Sequence, residues 1–364
     1  MMTRKSGGPA ALASLFAGAV LASTAGAASV YTETNSASGN AIQIYQSAAD
    51  GSLSLAATVS TGGLGTGAGL GNQGALALSD GGRWLYAVNA GSNDISVFAV
   101  SGTELTLVDR VASGGTTPIS VTVHDQLLYV LNAGDTGNIT GFRTSSKGHL
   151  QAISNSTRAL SSSTAGAAQV SFDHNGDVLV VTEKATNRIS TYSIDNDRPT
   201  GPVVHASNGM TPFGFAFDRR DTLLVSEAFG GHAKAAALSS YDLDEPGSLE
   251  VISGSIPAVQ TAACWVVIAR YGQYAYVTNT GSGTLTGYRV ARSGALTRLS
   301  ADGVSGVTGG GPTDAAASAD GRTLFVLSPS IGQIVEFRVN EDGSLLKLGS
   351  TPGAPSTATG VVVR

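Results

Sequence analysis

One repeated unit narrows the folds open to this chain more than any other feature. Residues 84–89 (WLYAVN), 127–132 (LLYVLN), 178–183 (VLVVTE), 222–227 (TLLVSE), 274–279 (YAYVTN) and 323–328 (TLFVLS) are apolar runs ending on a polar residue before a turn. Each is followed by a strand-like run with an aromatic at one site: Phe98, Phe142, Tyr192, Tyr241, Tyr288 and Phe337. The runs are short, rich in β-branched and aromatic residues, and bounded by Gly, Asn, Asp or Ser, which marks strands. The turns are too short for crossover helices, so neighbouring strands pair antiparallel. In the most complete copy, Gly74–Val111, the unit has four strands. An isolated meander of that size has little core. A period of roughly 40–50 residues with four strands per unit predicts an all-β, seven-bladed β-propeller.

Six copies are contiguous and the seventh is split. The run 29–35 (SVYTETN), 41–46 (AIQIYQ, with Tyr45 at the aromatic site) and 53–59 (LSLAATV) lacks a first strand, while 358–363 (ATGVVV) is a first strand without a successor. Pairing the C-terminal strand with the N-terminal strands would close the ring and remove its open edges.

Composition fits this reading. Of 364 residues only 13% are charged and 48 are Gly. A net charge of −5 argues against a nucleic-acid partner, which calls for clustered Lys and Arg. Arg4 and Lys5, an apolar run over 9–22 and Ala25-Gly26-Ala27 read as a signal peptide over 1–27, shorter in its apolar part than a membrane span. The expected product is a secreted or periplasmic propeller over 28–364, a monomer free of the membrane. Cys264 is the only cysteine. No disulfide follows, and its apolar setting, CWVVI, predicts a buried small hydrophobe.

In a propeller the innermost strands line a central channel and loops at a mouth bind ligand. Gln73, Gln169 and Asp314 are polar candidates near the channel, with Phe213 and Trp265 as stacking surfaces. The ends of the second strands add Asn89, Asn132, Asn279, Glu183 and Glu227. Asn at such ends commonly satisfies turn backbone. Glu183 and Glu227 depart from the repeat and are the candidate acid–base pair, with Gln169 and Asn89 orienting substrate, although Lys184 offers Glu183 a plain surface ion pair. His232, on the long insertion 229–237, is the one histidine kept as a site candidate. Gly69, Gly71 and Gly74 match a dinucleotide-binding string, but a strand follows instead of a helix, so the loop 61–73 reads as flexible cover over one face. No metal-ligand spacing occurs, and neither metal nor cofactor is expected.

With the repeat in view, the chain resembles the lactonase family of seven-bladed propellers, which includes propeller-type 6-phosphogluconolactonases and fungal carboxymuconate lactonising enzymes. The resemblance rests on units such as ADGRTLFVLSPSIGQIVEFRVNEDGSLLKLG. The stretches GGLGTGAGLGNQGAL, FGFAFD, SEAFGG and TAACWVV are similar to exported bacterial members. It implies lactone hydrolysis or cycloisomerisation of a small carboxylate at a channel mouth. The family's enzymes share a His pair on one inner strand, an Arg on the next, and a Glu and an Arg past two second strands. In register these positions fall on Gly166 and Ala168, Phe213, Ala228 and Thr280, with Glu227 one residue from the Glu position. The alternative is a non-catalytic propeller binding a small molecule, a glycan or a protein partner.

Overall fold

The structure, a computed structural model, describes residues 1–3, 28–48, 52–243 and 247–364. Residues 4–27, which carry the charged and apolar parts of the expected signal peptide, lie outside the described residues. Among the described residues no helix is long and apolar enough to cross a membrane.

Among the same residues the strands form seven antiparallel sheets, the blades, each with four strand positions from the channel outward. The inner strands are Leu76–Leu78, Pro118–His124, Ala167–Phe172, Pro212–Phe217, Ala263–Ala269, Asp314–Ala317 and Thr359–Val363, and they head blades 1 to 7 in that order. In blades 2 and 5 the outer strand is broken into two short pieces on one partner. Among the described residues helix is confined to 3-10 turns at Phe229–Gly231, Arg270–Gly272 and Pro329–Ile331. The first of these lies in the 229–237 insertion.

Blade 7 is the split one. Its inner strand, Thr359–Val363, pairs with Ser29–Glu33, matching Val30 to Val363 and Tyr31 to Val362. The predicted closure is therefore the observed one.

The repeated aromatic explains how the blades adhere. Phe98, Phe142, Tyr192, Tyr241, Tyr288, Phe337 and Tyr45 all stand opposite the second residue of a second strand, or its equivalent. All are at most 2% exposed. Each belongs to a different apolar cluster, and each cluster joins two neighbouring blades, as Tyr288 joins Leu224 of blade 4 to Val277 of blade 5. The core is thus a ring of seven seams, and a blade removed from the ring would expose two of them.

The ring has two faces. Inner strands begin and second strands end on one, here called the entry face. Inner strands end and turn back on the other, the exit face.

Candidate functional site

The second-strand ends form a repeated clasp. In blade 1, Asn89 Oδ1 accepts from Thr61 Oγ1 (2.7 Å) and Asn40 Nδ2 (3.0 Å), and Nδ2 donates to Asp94 (2.7 Å) and Ser96 (2.8 Å). Asn132 Nδ2 donates to the Ser113 carbonyl (3.3 Å) and to Asn138 (2.9 Å). Asn279 Nδ2 donates to Thr284 (3.2 Å) and Thr286 (2.9 Å). In blades 1 and 2 the side chain also ties the segment arriving from the preceding blade to its own third strand.

Glu183 and Glu227 occupy the same clasp. Glu183 Oε1 accepts from Ser161 N (3.0 Å) and Ser190 Oγ (2.8 Å), and Oε2 from Thr186 Oγ1 (3.1 Å) and Ser161 Oγ. Glu227 Oε1 accepts from Gly209 N (2.8 Å) and Ser239 Oγ (2.5 Å), and Oε2 from Ser255 Oγ (2.6 Å). The choice of residue follows from the partners. Asn132 faces two acceptors and must donate, whereas each Glu takes one backbone N–H and two or three hydroxyls, all of which an acceptor-only carboxylate can satisfy. Burial pushes the Glu227 carboxyl above its ordinary range, against the lowering effect of Ser239, Ser255 and Gly209. Both carboxylates are 0% exposed, and neither lines a described cavity. The second-strand ends gather on the entry face, but each of these polar side chains is buried and bonded to its own third strand or to the segment arriving from the preceding blade. His232 is exposed on the insertion and lines no described cavity either.

The remaining candidates do come together, at the axis. Ser120, Gln169, Trp265 and Asp314 are equivalent, each opposite the penultimate residue of its second strand. An inner strand is a sheet edge, with backbone groups needing partners, and this layer supplies them. Ser120 Oγ accepts from Val170 N of the next blade (3.2 Å). Gln169 Oε1 accepts from Phe215 N (2.7 Å) and Nε2 donates to Phe215 O (3.0 Å). Asp314 takes the Val361 N–H, and burial pushes its carboxyl up to about 8. In blade 4 the layer holds Gly214, which has no side chain to send. Gln73 does the task instead: its Oε1 accepts from Val266 N (3.2 Å) and its Nε2 donates to Val266 O (3.1 Å). A Cβ on Gly214 would stand 2.1 Å from Gln73 Oε1.

Gln73 reaches this place because the loop 61–73 enters the channel, which overturns its reading as a flexible cover. Asn72 is 1% exposed. Its Nδ2 donates to Ile119 O in blade 2, its Oδ1 accepts from Thr359 Oγ1 in blade 7 (3.0 Å), and its carbonyl accepts from Trp265 Nε1 in blade 5. Gln73 N donates to Ala168 O in blade 3 (3.2 Å). Two residues therefore tie four blades, 2, 3, 5 and 7, across the entry mouth.

Lys184 completes the plug. It does not pair with Glu183. Its Nζ donates to Gly71 O and lies 4.6 Å from the centre of the Phe213 ring, which packs on Trp265 at 5.2 Å. Burial pushes this ammonium down to about 8. Cys264 is buried as expected, its thiol pushed up to about 11 by the same cause.

The axis is open from the other side. A cavity of about 610 Å³ opens on the exit face. Gln73 and Gln169 form its inner end, Thr122 and Ser171 its polar wall, Phe215 and Phe217 its aromatic wall, with His124, His174 and Asp80 at the rim. Phe215 and Phe217 meet edge to face at 6.0 Å. Thr122 Oγ1 accepts from Phe172 N (3.2 Å), and Ser171 Oγ donates to Phe172 O (3.0 Å). Among the described residues no hydroxyl lining this cavity is hydrogen-bonded to an imidazole. No group of three or more metal-ligating side chains is placed to hold an ion among the described residues. The size and mixed lining suit a small polar ligand with one apolar face. Sequence reasoning singled out Gln73 and Gln169 and missed Asn72, Thr122, Ser171, His124 and Asp80. The gap at Gly214 in a layer that otherwise carries larger side chains was the available signal for Gln73's role.

Comparison with known proteins supports the fold. Residues 30–162 match the family described as Lactonase, 7-bladed beta-propeller. No match is found among curated proteins. A candidate 6-phosphogluconolactonase from Bacteroides fragilis superposes with a TM-score of 0.73 at 16% identity, over 94% of this chain and 99% of that one. A periplasmic gluconolactonase from Pseudomonas aeruginosa gives 0.69 at 18% identity, over 93% and 98%. These findings bear out the resemblance to lactonase-type propellers.

Proposed function

We propose that this lactonase-like propeller is a binding protein that takes a small polar molecule into the axial cavity at the exit mouth, and that it does not hydrolyse lactones at the entry mouth. The plug carries the reading. The positions that the family resemblance assigns to catalysis serve it or pack elsewhere: Ala168 accepts from Gln73, Phe213 lies under Lys184, and Thr280 donates to Pro312 O (2.7 Å). Catalysis also calls for a base within reach of the reacting group. The two clasp carboxylates have no exposure with which to meet a substrate.

The test is a pH-stat assay with gluconolactone, 6-phosphogluconolactone and acyl-homoserine lactones. The wild type and a Glu183→Gln/Glu227→Gln variant are both expected to match buffer. Turnover by the wild type would overturn the reading. Export belongs to the same proposal. The protein recovered from the periplasm or medium is expected to have an intact mass that begins at Ala28, and a mass that retains residues 1–27 would count against it.

A further inference from the structure

The axial cavity continues beyond its rim. It shares Asp80 and His124 with a depression of about 850 Å³ that crosses the exit face over blades 1 to 3 as far as Trp84. Together they form one trough, closed at the axis by Gln73 and open along the turns between inner and second strands.

Its chemistry is mixed along its length. Asp80 and Arg83 come from the turn of blade 1, Asp125 from that of blade 2, and Asn175 and Asp177 from that of blade 3. Arg143 is bound to Asp197 in an ion pair. Arg83 has no ion pair among the described residues, and its guanidinium lies 4.8 Å over the Trp84 ring. Stacking holds that group flat and leaves its edge N–H donors free. The indole also packs closely on Gly148, where a Cβ would stand 2.6 Å from it. The tryptophan thus supports Arg83 by stacking, and the unpaired guanidinium is the group offered to a ligand.

Alternating signs select against a strongly charged ligand. A polyanion would lie against Asp80, Asp125 and Asp177, and a polycation against the unpaired Arg83, Arg143 being neutralised by Asp197. A chain of hydroxyl groups meets no such conflict, because each hydroxyl both donates to a carboxylate and accepts from a guanidinium or amide. The trough's shape adds length to that chemistry: a compact inner end with an aromatic wall, then an open run of polar turns. We infer that the exit face binds a neutral linear oligosaccharide, its terminal sugar in the axial cavity and its chain running toward Arg83. This inference rests on the binding reading above and names the ligand class for it.

Calorimetric titration with glucose and N-acetylglucosamine oligomers of one to six units, α- and β-1,4-linked, tests it. Affinity for at least one series is expected to rise tenfold or more between the monomer and the longer oligomers, a step of about 1.4 kcal/mol. Arg83→Ala and Asp177→Asn change exposed residues and are expected to remove most of that gain while leaving monosaccharide affinity unchanged. Affinity independent of length, loss of monomer binding in these variants, or binding only of a polyuronate or a charged peptide would each overturn the inference. Failure of the underlying reading shows separately, as lactone turnover by the wild type.

Discussion

Deleting residues 358–364 is expected to lower the melting temperature by more than about 10 °C. The segment is the inner strand of blade 7, and its backbone closes the ring against Ser29–Glu33, flanked by Arg364 N to Ser29 O at 2.9 Å. Ala358 and Val361, at 5% and 6% exposed, sit in the seam with Tyr45, Phe325 and Leu327. Val362 packs against the neighbouring seam that holds Tyr31 and Leu76. Losing the buried side chains removes about 1.5–3 kcal/mol for each large one. Backbone groups of Ser29–Glu33, a strand buried at every position, then lose partners at about 1–3 kcal/mol each where water does not replace them. Thr359 also leaves Asn72, so the plug loosens together with the ring. Calorimetric melting of full-length and shortened chains decides the matter. A shift under about 3 °C would mean that the seams on either side hold the ring without this strand. Should the shortened chain fail to accumulate, Val361→Ser keeps the backbone ladder and is expected to cost about 2 kcal/mol.

How far the sequence could be read follows from where its information is periodic. Tyr45 and its six equivalents recur in fixed register, so blade number, strand order and closure were legible before any coordinates. Glu183 and Glu227 also lie on the repeat, and their equivalence to Asn89 was visible. Their role was not, because it depends on partners from other strands: Ser161 and Ser190 for one, Gly209, Ser239 and Ser255 for the other. A departure from the repeat suggested chemistry, whereas the departure matches a change in donors. The loop 61–73 has no period at all, and nothing within it says that Asn72 will reach Ile119, Trp265 and Thr359. The exit trough is harder still, being assembled from the inner turns of three blades, none of which carries it alone.

The swap between Gly214 and Gln73 gives the second large effect, one whose size depends on background. In the wild type, Gly214→Gln is expected to cost about 3 kcal/mol, because its Cβ would enter the space of Gln73 Oε1 at 2.1 Å and press on the Cys264 carbonyl at 2.6 Å. Gln73→Gly alone leaves Val266 N and O without their partner, at about 1–3 kcal/mol for each group that water cannot reach. Combined, the two changes place a glutamine on blade 4 at the position where Gln169 stands on blade 3. It can then reach Val266 as Gln169 reaches Phe215. The double variant is therefore expected to lose less than the sum of the two single losses by at least about 1 kcal/mol, with the Cys264 carbonyl and Trp265 Cα as the backbone contacts that remain. Chemical denaturation of all four proteins measures the coupling. If Gly214→Gln costs the same in both backgrounds, Gln73 is not the stand-in for a missing inner-strand side chain, and the plug is held by Asn72 and Lys184 alone. If the coupling has the expected sign, the entry mouth is closed by a residue that the blade architecture itself requires, and a substrate route through that mouth would have to break a bond between blades.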